Sequence, residues 1–282
     1  MVVWALALAL LFITLGWGLS LYLTHRFTLK EVHSPAEYGL AFENISFQTS
    51  DGLTLRGWLV PGRDPERVVV ILHGHSGSID YDLQYVPTLH AAGYNVLQFD
   101  FRAHGRSQGR ATTFGYLERL DVQGAARFLY GRGLRRIALH GFSLGGMAAI
   151  TGAAACPEVS VVVEDGGPAR LKTALRGWCL ERGVPAALVP FLSWLVLGAT
   201  SLRFGVNIYR YEPVRWVGKI APRPLMLIHG ERDQYVTDFD DLLRAACPTE
   251  VWRLPEEGHV TASLNLKEEY WQRVIAFLEK YL

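Results

Sequence analysis

Ser143 lies in a pattern that can make its hydroxyl oxygen a nucleophile. The apolar run at residues 137–139 enters the Gly-x-Ser-x-Gly pattern of residues 141–145, and small, helix-compatible residues follow it. This order predicts a strand, a sharp turn and a helix, with the strained turn lifting the serine oxygen above the sheet. The two glycines keep the turn free of side-chain collisions. A nucleophilic serine is therefore the first chemical hypothesis.

Three further motifs flank this turn along the chain. They are HGHSG at residues 73–77, DFRAHGRS at residues 100–107, and HGERD at residues 229–233 together with Gly258-His259. With the serine turn, and in this order, they make the chain from about residue 40 to residue 282 resemble the α/β-hydrolase superfamily. The resemblance is narrower to its membrane-tethered esterase and acylaminopeptidase-like serine hydrolases. It implies an α/β-hydrolase fold, in which helices cover both faces of a mostly parallel central sheet and a helical cap is inserted.

The resemblance also implies a Ser-acid-His triad, because a serine hydroxyl is a poor nucleophile until an oriented base removes its proton. In this fold the acid follows the serine along the chain and the histidine comes last. His259 is the only histidine beyond the final candidate acid loop, so it is the predicted base. Asp233 is the predicted acid by its match to the family loop. Asp165, at the end of the preceding strand, is the alternative.

Attack on a carbonyl group creates an oxyanion, which this fold stabilises with two backbone N–H groups. The resemblance assigns them to Leu144, directly after the nucleophile, and to His75, in the loop after the third strand. The His75 imidazole either lines the substrate entrance or is incidental. The motif at residues 100–107 is expected to brace the adjacent turn, where relatives usually carry Gly in place of Ala103. His140 is expected to pack under the serine turn.

The elements that must position these residues alternate along the chain. Apolar runs predict strands and helical spacing separates them, so we expect a mostly parallel sheet with the motifs at the carboxyl ends of its strands. A Ser-Asp-Gly turn at residues 50–52 predicts a hairpin. The predicted strands are residues 43–48, 53–60, 68–72, 94–99, 137–139, 159–163, 225–228 and 251–254, and the predicted helices are residues 82–92, 117–130 and 266–281.

After the sixth predicted strand the alternation stops, and we predict a cap insertion over about residues 167–212. Within it, residues 184–199 are uncharged, and their prolines argue against a second membrane span. The predicted substrate-contacting or interfacial side chains of the cap are Trp178, Phe191 and Trp194. The alternative is that this segment forms two helices that only pack on the core.

The first 24 residues carry no charged side chain and are rich in Leu, Ala, Val, Ile and Trp. As a helix they would span roughly 35 Å, enough for a hydrocarbon core of about 30 Å. We predict a single-pass transmembrane anchor over residues 1–26, with a cleaved signal peptide as the alternative. Arg26 and Lys30 follow the span, which favours a cytoplasmic catalytic domain over residues 40–282. We expect the anchor to contribute nothing to the core.

Composition argues against several other classes. The formal net charge is +1 and charges of both signs are interspersed, so no nucleic-acid partner is expected. The three cysteines are too few and too far apart for a disulfide framework or a metal site. No dinucleotide-binding or phosphate-binding glycine motif occurs, so neither a metal nor an organic cofactor is predicted. The sequence does not indicate an oligomeric state.

These features predict a membrane-anchored serine hydrolase that cleaves carboxylic esters with apolar acyl groups through an acyl-enzyme on Ser143. The substrate would be a small-molecule or lipid-like ester. Cleavage of amides, peptides or thioesters uses the same residues and is the alternative within catalysis. From another class, the alternative is a non-catalytic relative that binds a ligand or a protein in the same pocket, although such relatives generally lose one member of the triad.

Overall fold

A computed structural model describes residues 2–28 and 33–282, so Met1 and Lys30, which the anchor and topology predictions use, lie outside the described residues. Within these ranges the chain forms one eight-stranded sheet. Its strands are β1 (Glu43–Gln48), β2 (Thr54–Val60), β3 (Arg67–Leu72), β4 (Asn95–Phe99), β5 (Arg136–Phe142), β6 (Val159–Asp165), β7 (Leu225–Gly230) and β8 (Glu250–Leu254). The α-helices are α1 (Val2–Leu23), α2 (Val86–Ala91), α3 (Glu118–Gly131), α4 (Leu144–Ala153), α5 (Leu171–Glu181), α6 (Val189–Phe204), α7 (Phe239–Ala245), α8 (Ala262–Asn265) and α9 (Lys267–Tyr281).

The sheet has the strand order β1-β2-β4-β3-β5-β6-β7-β8. The strands from β4 to β8 in this order run parallel, whereas β2 pairs antiparallel with β1 and with β4. Alternate residues of β3 belong to two separate core clusters, with Val68 and Val70 in one and Val69 and Ile71 in the other. Burial on both faces explains why the central strands are continuous apolar runs. The predicted mostly parallel α/β architecture is confirmed.

The helix predicted at residues 82–92 is divided in the structure. A 3-10 helix, Tyr81–Tyr85, comes first and α2 follows it. Pro87 lies in the first turn of α2, where its missing N–H leaves no hydrogen bond unmade, but the same residue could not continue a longer α-helix. Strands β5 and β6 each extend beyond the predicted ends, so that they reach Phe142 and Asp165 beside the serine turn.

The cap segment contains α5 and α6, which follow β6. Pro185 precedes a short 3-10 turn and Pro190 lies in the first turn of α6, so neither interrupts the helix. Both prolines lie where no helical N–H is needed, so they leave α6 continuous. They therefore give no argument against a membrane span, and the absence of a second span stays a prediction. Among the described residues, the helical stretch Ala186–Phe204 is long and apolar enough to cross a membrane, and Leu10–Leu23 is apolar but shorter.

Helix α1 packs lengthwise against α6. The rings of Phe12 and Phe191 lie 4.9 Å apart, and the hydroxyl oxygens of Ser20 and Thr200 lie 2.8 Å apart. From the first pair to the second, the residue number increases in both helices, so the helices run parallel. At Gly16 a side chain would meet the backbone oxygen of Leu195 at 3.0 Å, so this glycine permits the close approach.

The end of α1 is part of the core. Leu23 belongs to the buried cluster that joins α5 and α6 of the cap to Met147 of α4. The Arg203 guanidinium donates to the hydroxyls of Ser20 and Thr24, at 2.8 Å each. The expectation that the N-terminal segment contributes nothing to the core is therefore wrong. The hydroxyls and the glycine of α1 fit α6 through hydrogen bonds and close packing. The apolar composition of the segment does not indicate these contacts.

Candidate active site

Ser143 occupies the sharp turn between β5 and α4. Its backbone has φ 53° and ψ −112°, a conformation that L-residues rarely adopt and that is costly unless its surroundings enforce it. A side chain at Gly141 would lie 2.3 Å from the oxygen of Gly145, and one at Gly145 would lie 2.0 Å from the oxygen of Leu72. The turn therefore requires both glycines. It places the serine oxygen at the carboxyl edge of the sheet.

His259 joins Ser143 to Asp233. Its Nε2 lies 2.9 Å from the Ser143 Oγ, and its Nδ1 lies 2.7 Å from the Asp233 Oδ2. Because a carboxylate accepts, Nδ1–H donates to Asp233, and Nε2 is left to accept the serine proton. The Asp233 side chain is fully buried and its other oxygen accepts the Tyr235 N–H at 2.7 Å. This arrangement can orient the imidazole as a general base for the serine.

Asp165, the alternative acid, makes a different set of contacts. Its Oδ2 accepts the Tyr270 hydroxyl at 2.7 Å, and that hydroxyl lies 2.9 Å from the His140 Nε2. Burial raises the pKa of Asp165 to about 7 and lowers the pKa of His140 to about 3. Asp233, not Asp165, is therefore the carboxylate hydrogen-bonded to His259. His140 is fully buried beneath the turn, where its ring lies 4.6 Å from that of Phe142.

The two predicted oxyanion donors lie beside the serine. His75 and Leu144 line the same cavity as Ser143 and His259, and a side chain at Gly74 would lie 3.6 Å from the Ser143 Cβ. Within residues 2–28 and 33–282, no acceptor is found for the backbone N–H of either His75 or Leu144. The His75 ring faces the N-terminal segment, because its Nε2 lies 2.9 Å from the Leu23 carbonyl oxygen.

The motif at residues 100–107 braces this region. The Asp100 carboxylate accepts the backbone N–H groups of Ile79 at 3.3 Å and Arg106 at 3.1 Å. Ala103 has φ 59°, a left-handed conformation that explains why glycine suits this position and that costs roughly 1 kcal/mol for alanine. The bracing role expected from the sequence agrees with these contacts.

A cavity of about 510 Å³ opens above Ser143 and His259. Its walls come from the cap, from the serine helix and from the end of α1, and they are mainly apolar. Trp178 lines it, but Phe191 and Trp194 do not, because they lie on the outer surface of α6 with 39% and 66% of their side chains exposed. Of the two roles predicted for these residues, the structure excludes the substrate-contacting one for Phe191 and Trp194, and the interfacial role stays a prediction. Apolar wall residues include Leu23, Met147, Leu171, Leu175, Trp178 and Leu197.

Sequence reasoning missed three groups of wall residues. Tyr22, Leu23 and Phe27 come from the N-terminal segment, Tyr235 comes from the acid loop, and Phe114 comes from the loop before α3. No periodicity signals the first group. For Phe114, the Gly115 and Glu118 pair could have indicated a turn. The Glu118 carboxylate accepts the Gly115 N–H at 2.9 Å and so folds the loop back. Over the described ranges, no three His, Cys, Asp or Glu side chains are grouped as metal ligands would be.

Comparison with known proteins agrees with this fold. The sequence matches the Alpha/beta hydrolase family over residues 69–277, so the chain belongs to the α/β-hydrolase family. An esterase of Pyrococcus furiosus, 28% identical, superposes with a TM-score of 0.75 over 92% of this chain and 98% of that one. An acetyl xylan esterase from Paenibacillus sp. R4, at 19% identity and a TM-score of 0.65, shares the fold.

Curated relatives span most of the chain. The α/β hydrolase domain-containing protein WAV2 of Arabidopsis thaliana is 26% identical over 268 residues, which are 88% of this chain and 82% of that protein. The uncharacterized protein YfhR of Escherichia coli K12 is 25% identical over 242 residues, 80% of this chain and 77% of that protein. Family membership and esterase neighbours together mark this protein as a hydrolase.

Proposed function

We propose that this protein is a serine hydrolase that cleaves carboxylic esters with apolar acyl groups. The observation that carries the proposal is the hydrogen-bonded line from the Ser143 Oγ through His259 to the buried Asp233. Ser143 and His259 both border an open cavity. A strained serine, an oriented imidazole and a buried carboxylate are seldom found together except in sites of nucleophilic catalysis.

The proposed reaction has two steps. The Ser143 Oγ attacks the ester carbonyl carbon while His259 Nε2 takes its proton, and the N–H groups of His75 and Leu144 stabilise the oxyanion. The C–O bond to the alcohol then breaks, and His259 returns the proton to the leaving oxygen. In the second step a water loses a proton to His259 and attacks the acyl carbon. The bond from that carbon to the Ser143 Oγ then breaks, His259 returns the proton to Oγ, and the carboxylic acid is released.

The preference for apolar acyl groups is inferred from the cavity walls. Leucine, methionine and tryptophan side chains surround the serine, and the charged wall residues Glu181 and Arg182 pair with each other at 2.7 Å. Because each of these two charges is paired with the other, neither is free to select an ionic substrate. Each buried methylene should contribute up to about 0.8 kcal/mol, so kcat/KM should rise by about two orders of magnitude from two to six acyl carbons.

Fluorophosphonate labelling and a graded substrate series test this function. Wild-type protein should be labelled covalently and Ser143→Ala should not. The kcat/KM for p-nitrophenyl esters should increase with acyl length until the cavity is filled, and aminoacyl anilides should react more slowly. A flat profile, or faster cleavage of the anilides, would move the assignment to the amidase or peptidase alternative. A folded wild-type protein that is neither labelled nor active would favour the non-catalytic alternative.

We also propose membrane contact, in a form that differs from a free single-pass anchor. The Phe12–Phe191 and Ser20–Thr200 contacts hold the second half of α1 against α6, so this half of the helix is not surrounded by lipid on all sides. Helices α1 and α6 together expose large apolar side chains toward solvent, and no charged residue occurs before Arg26 or within residues 184–202. We propose that this apolar face contacts lipid and that both helices insert into the membrane. Exposed members of the face include Trp4, Ile13, Trp17, Leu188, Trp194 and Leu202.

Fractionation tests the membrane proposal. Full-length protein should stay with membranes through salt and carbonate washes, and Trp194→Lys combined with Leu202→Lys should weaken that retention. Leu264→Lys, an exposed leucine of α8, is the matched control. Release by salt alone, or equal retention of all variants, would contradict lipid contact through α6. A cytoplasmic catalytic domain stays a separate proposal that rests on composition, and protease accessibility in sealed vesicles tests it.

A further inference from the structure

The segment that follows α1 is bonded to the loops around the serine. We call residues 23–27 the connector. The Phe27 N–H donates to the Ala103 oxygen at 2.8 Å, and the Gly105 N–H donates to the Phe27 oxygen at 2.9 Å. The Arg26 guanidinium donates to the carbonyl oxygens of Gly105 and Gly109, at 2.9 Å each. The connector is therefore fixed to the braced loop at residues 100–109 from both its backbone and its side chain.

The connector also holds His75. The Leu23 carbonyl can only accept, so the His75 Nε2–H donates to it across 2.9 Å. The Phe27 ring meets the His75 ring edge-on at 5.0 Å, and the Phe114 ring stacks on it at 5.7 Å. Burial lowers the pKa of His75, so the ring is a neutral donor with one defined tautomer.

Within the oxyanion loop the Gly77 N–H donates to the Gly74 oxygen at 3.1 Å, and no such backbone bond is made by the His75 N–H among the described residues. Residues 73–77 include two glycines, and Ser76 has φ 55°, in the left-handed region that a non-glycine residue adopts only under constraint. A donor N–H has to be held close to one position to stabilise an oxyanion, because the gain depends on preorganisation. Two side chains tie this loop to neighbouring segments. The His73 Nε2 accepts the Phe101 N–H at 3.0 Å, and the His75 ring, which belongs to the donor residue itself, is held by the connector.

We propose that His75 is a positioning residue, and that the connector fixes the oxyanion loop through the hydrogen bond from the His75 ring to the Leu23 carbonyl. The inference rests on the proposed serine hydrolase function. If this inference holds, the end of α1 contributes to catalysis. The helix that we propose to contact lipid is then coupled to the position of the His75 N–H. The His75 imidazole acts through its own backbone and makes no required contact with the substrate.

Two substitutions of His75 in the full-length protein test this inference. His75→Leu removes the donor and should lower kcat by roughly 10- to 100-fold with KM changed by less than about threefold, since losing an oxyanion donor outright costs on the order of 10² to 10³ in kcat. His75→Gln keeps an N–H donor at the end of its side chain and should restore most of the loss. His90→Leu is the matched control, because it removes a similar ring bond, 3.1 Å from the Pro61 oxygen, on distant α2.

Two further readouts separate positioning from a merely structural role. Binding of a trifluoromethyl ketone, which forms an oxyanion on Ser143, should weaken across the variants in proportion to kcat/KM, while KM for the ester stays nearly constant. Arg26→Leu, which loosens the connector, should lower kcat less than His75→Leu. The double variant should be no worse than His75→Leu alone, because both changes break the same connection.

The result that would overturn the inference is a His75→Leu enzyme with wild-type kcat, or one in which KM rises and kcat does not change. Equal losses in His75→Gln and His75→Leu would also contradict it. These outcomes are distinguishable from failure of the proposed function. If wild-type protein is labelled by fluorophosphonate and is active, the hydrolase assignment stands whatever the His75 variants do.

Discussion

Two hydrogen-bonded lines meet at the Ser143 turn, one in front of it and one behind. The front line runs from Ser143 through His259 to Asp233, and the back line runs from His140 through Tyr270 to Asp165. Each ends on a carboxylate near the carboxyl end of a strand, β7 for the front line and β6 for the back line. The Ser143 N–H donates to the Asp165 carbonyl oxygen at 2.8 Å, so the two lines share the turn.

Access distinguishes the two lines. His259 is 24% exposed and borders the cavity, whereas His140 is fully buried and its Nδ1 has no partner among the described residues. Burial raises the pKa of Asp165 and lowers that of His140, so both groups favour their neutral forms. A carboxylate, a hydroxyl and an imidazole in line are therefore not sufficient for the proposed chemistry. The imidazole must also face the cavity, and its partner must be a nucleophile that a substrate can reach.

The sharpest way to break this comparison is to remove the front line. Ser143→Ala and His259→Ala should each lower kcat by about 10³- to 10⁶-fold, because residues that act as a unit lose almost everything when one is removed. Circular dichroism and thermal unfolding should show that both variants are folded. His140→Ala would destabilise the protein but should cost far less in kcat per folded molecule. A folded Ser143→Ala protein with near wild-type ester hydrolysis would disprove the mechanism.

The next prediction compares the two carboxylates directly. Asp233→Ala should lower kcat by about 10²- to 10⁴-fold, since the His259 ring loses the partner that fixes its tautomer. Asp165→Asn should change kcat by less than about tenfold, because the asparagine oxygen can still accept the Tyr270 hydroxyl and the backbone bond to Ser143 is retained. Steady-state kinetics on one ester settles the order of the two effects. If Asp165→Asn is the more damaging change, the acid assignment is wrong.

The sequence predicted those features that depend on local order. Strand β1 was predicted with its observed bounds, because alternating burial leaves a period of two. The serine turn was predictable since its glycines are required by backbone collisions within and beside the turn. The preference for Asp233 over Asp165 came from the match to the family loop and not from local order, because both residues follow apolar strands and only the position of the His259 ring separates them.

Contacts between distant segments were beyond the reach of the sequence. Helix α1 is apolar on all sides, so no stripe indicates that Gly16 and Ser20 face α6 rather than lipid. The aromatic content of the cap likewise does not indicate which way each ring faces. The sequence therefore left Phe191 and Trp194 either at the pocket or at an interfacial surface, and they lie outside the pocket. Each hydrogen bond of the connector has a backbone atom on at least one side, and every residue carries these atoms, so no side-chain pattern indicates where the connector binds.

The smallest predicted effect is a change in the pH dependence of stability when Asp165 is replaced. It tests whether water is excluded from the back line. A raised pKa means that folded Asp165 holds its proton more tightly than the unfolded chain does. Below about pH 4 both states are protonated. As pH rises from about 4 to 7 the unfolded state loses its proton first, so the free energy of unfolding falls, and above about pH 7 it levels off.

Asp165→Asn has no such proton, so its stability relative to wild type should increase between pH 5 and pH 8, by on the order of 2 kcal/mol. Asp82 and Asp121 are also buried with pKa values raised to about 7, and they contribute the same slope to both proteins. The difference between the two urea-unfolding curves at each pH therefore isolates Asp165. A difference that does not change between pH 5 and pH 8 would mean that Asp165 titrates as an exposed carboxyl does. In that case water reaches the back line, and access could no longer be the property that separates it from the front line.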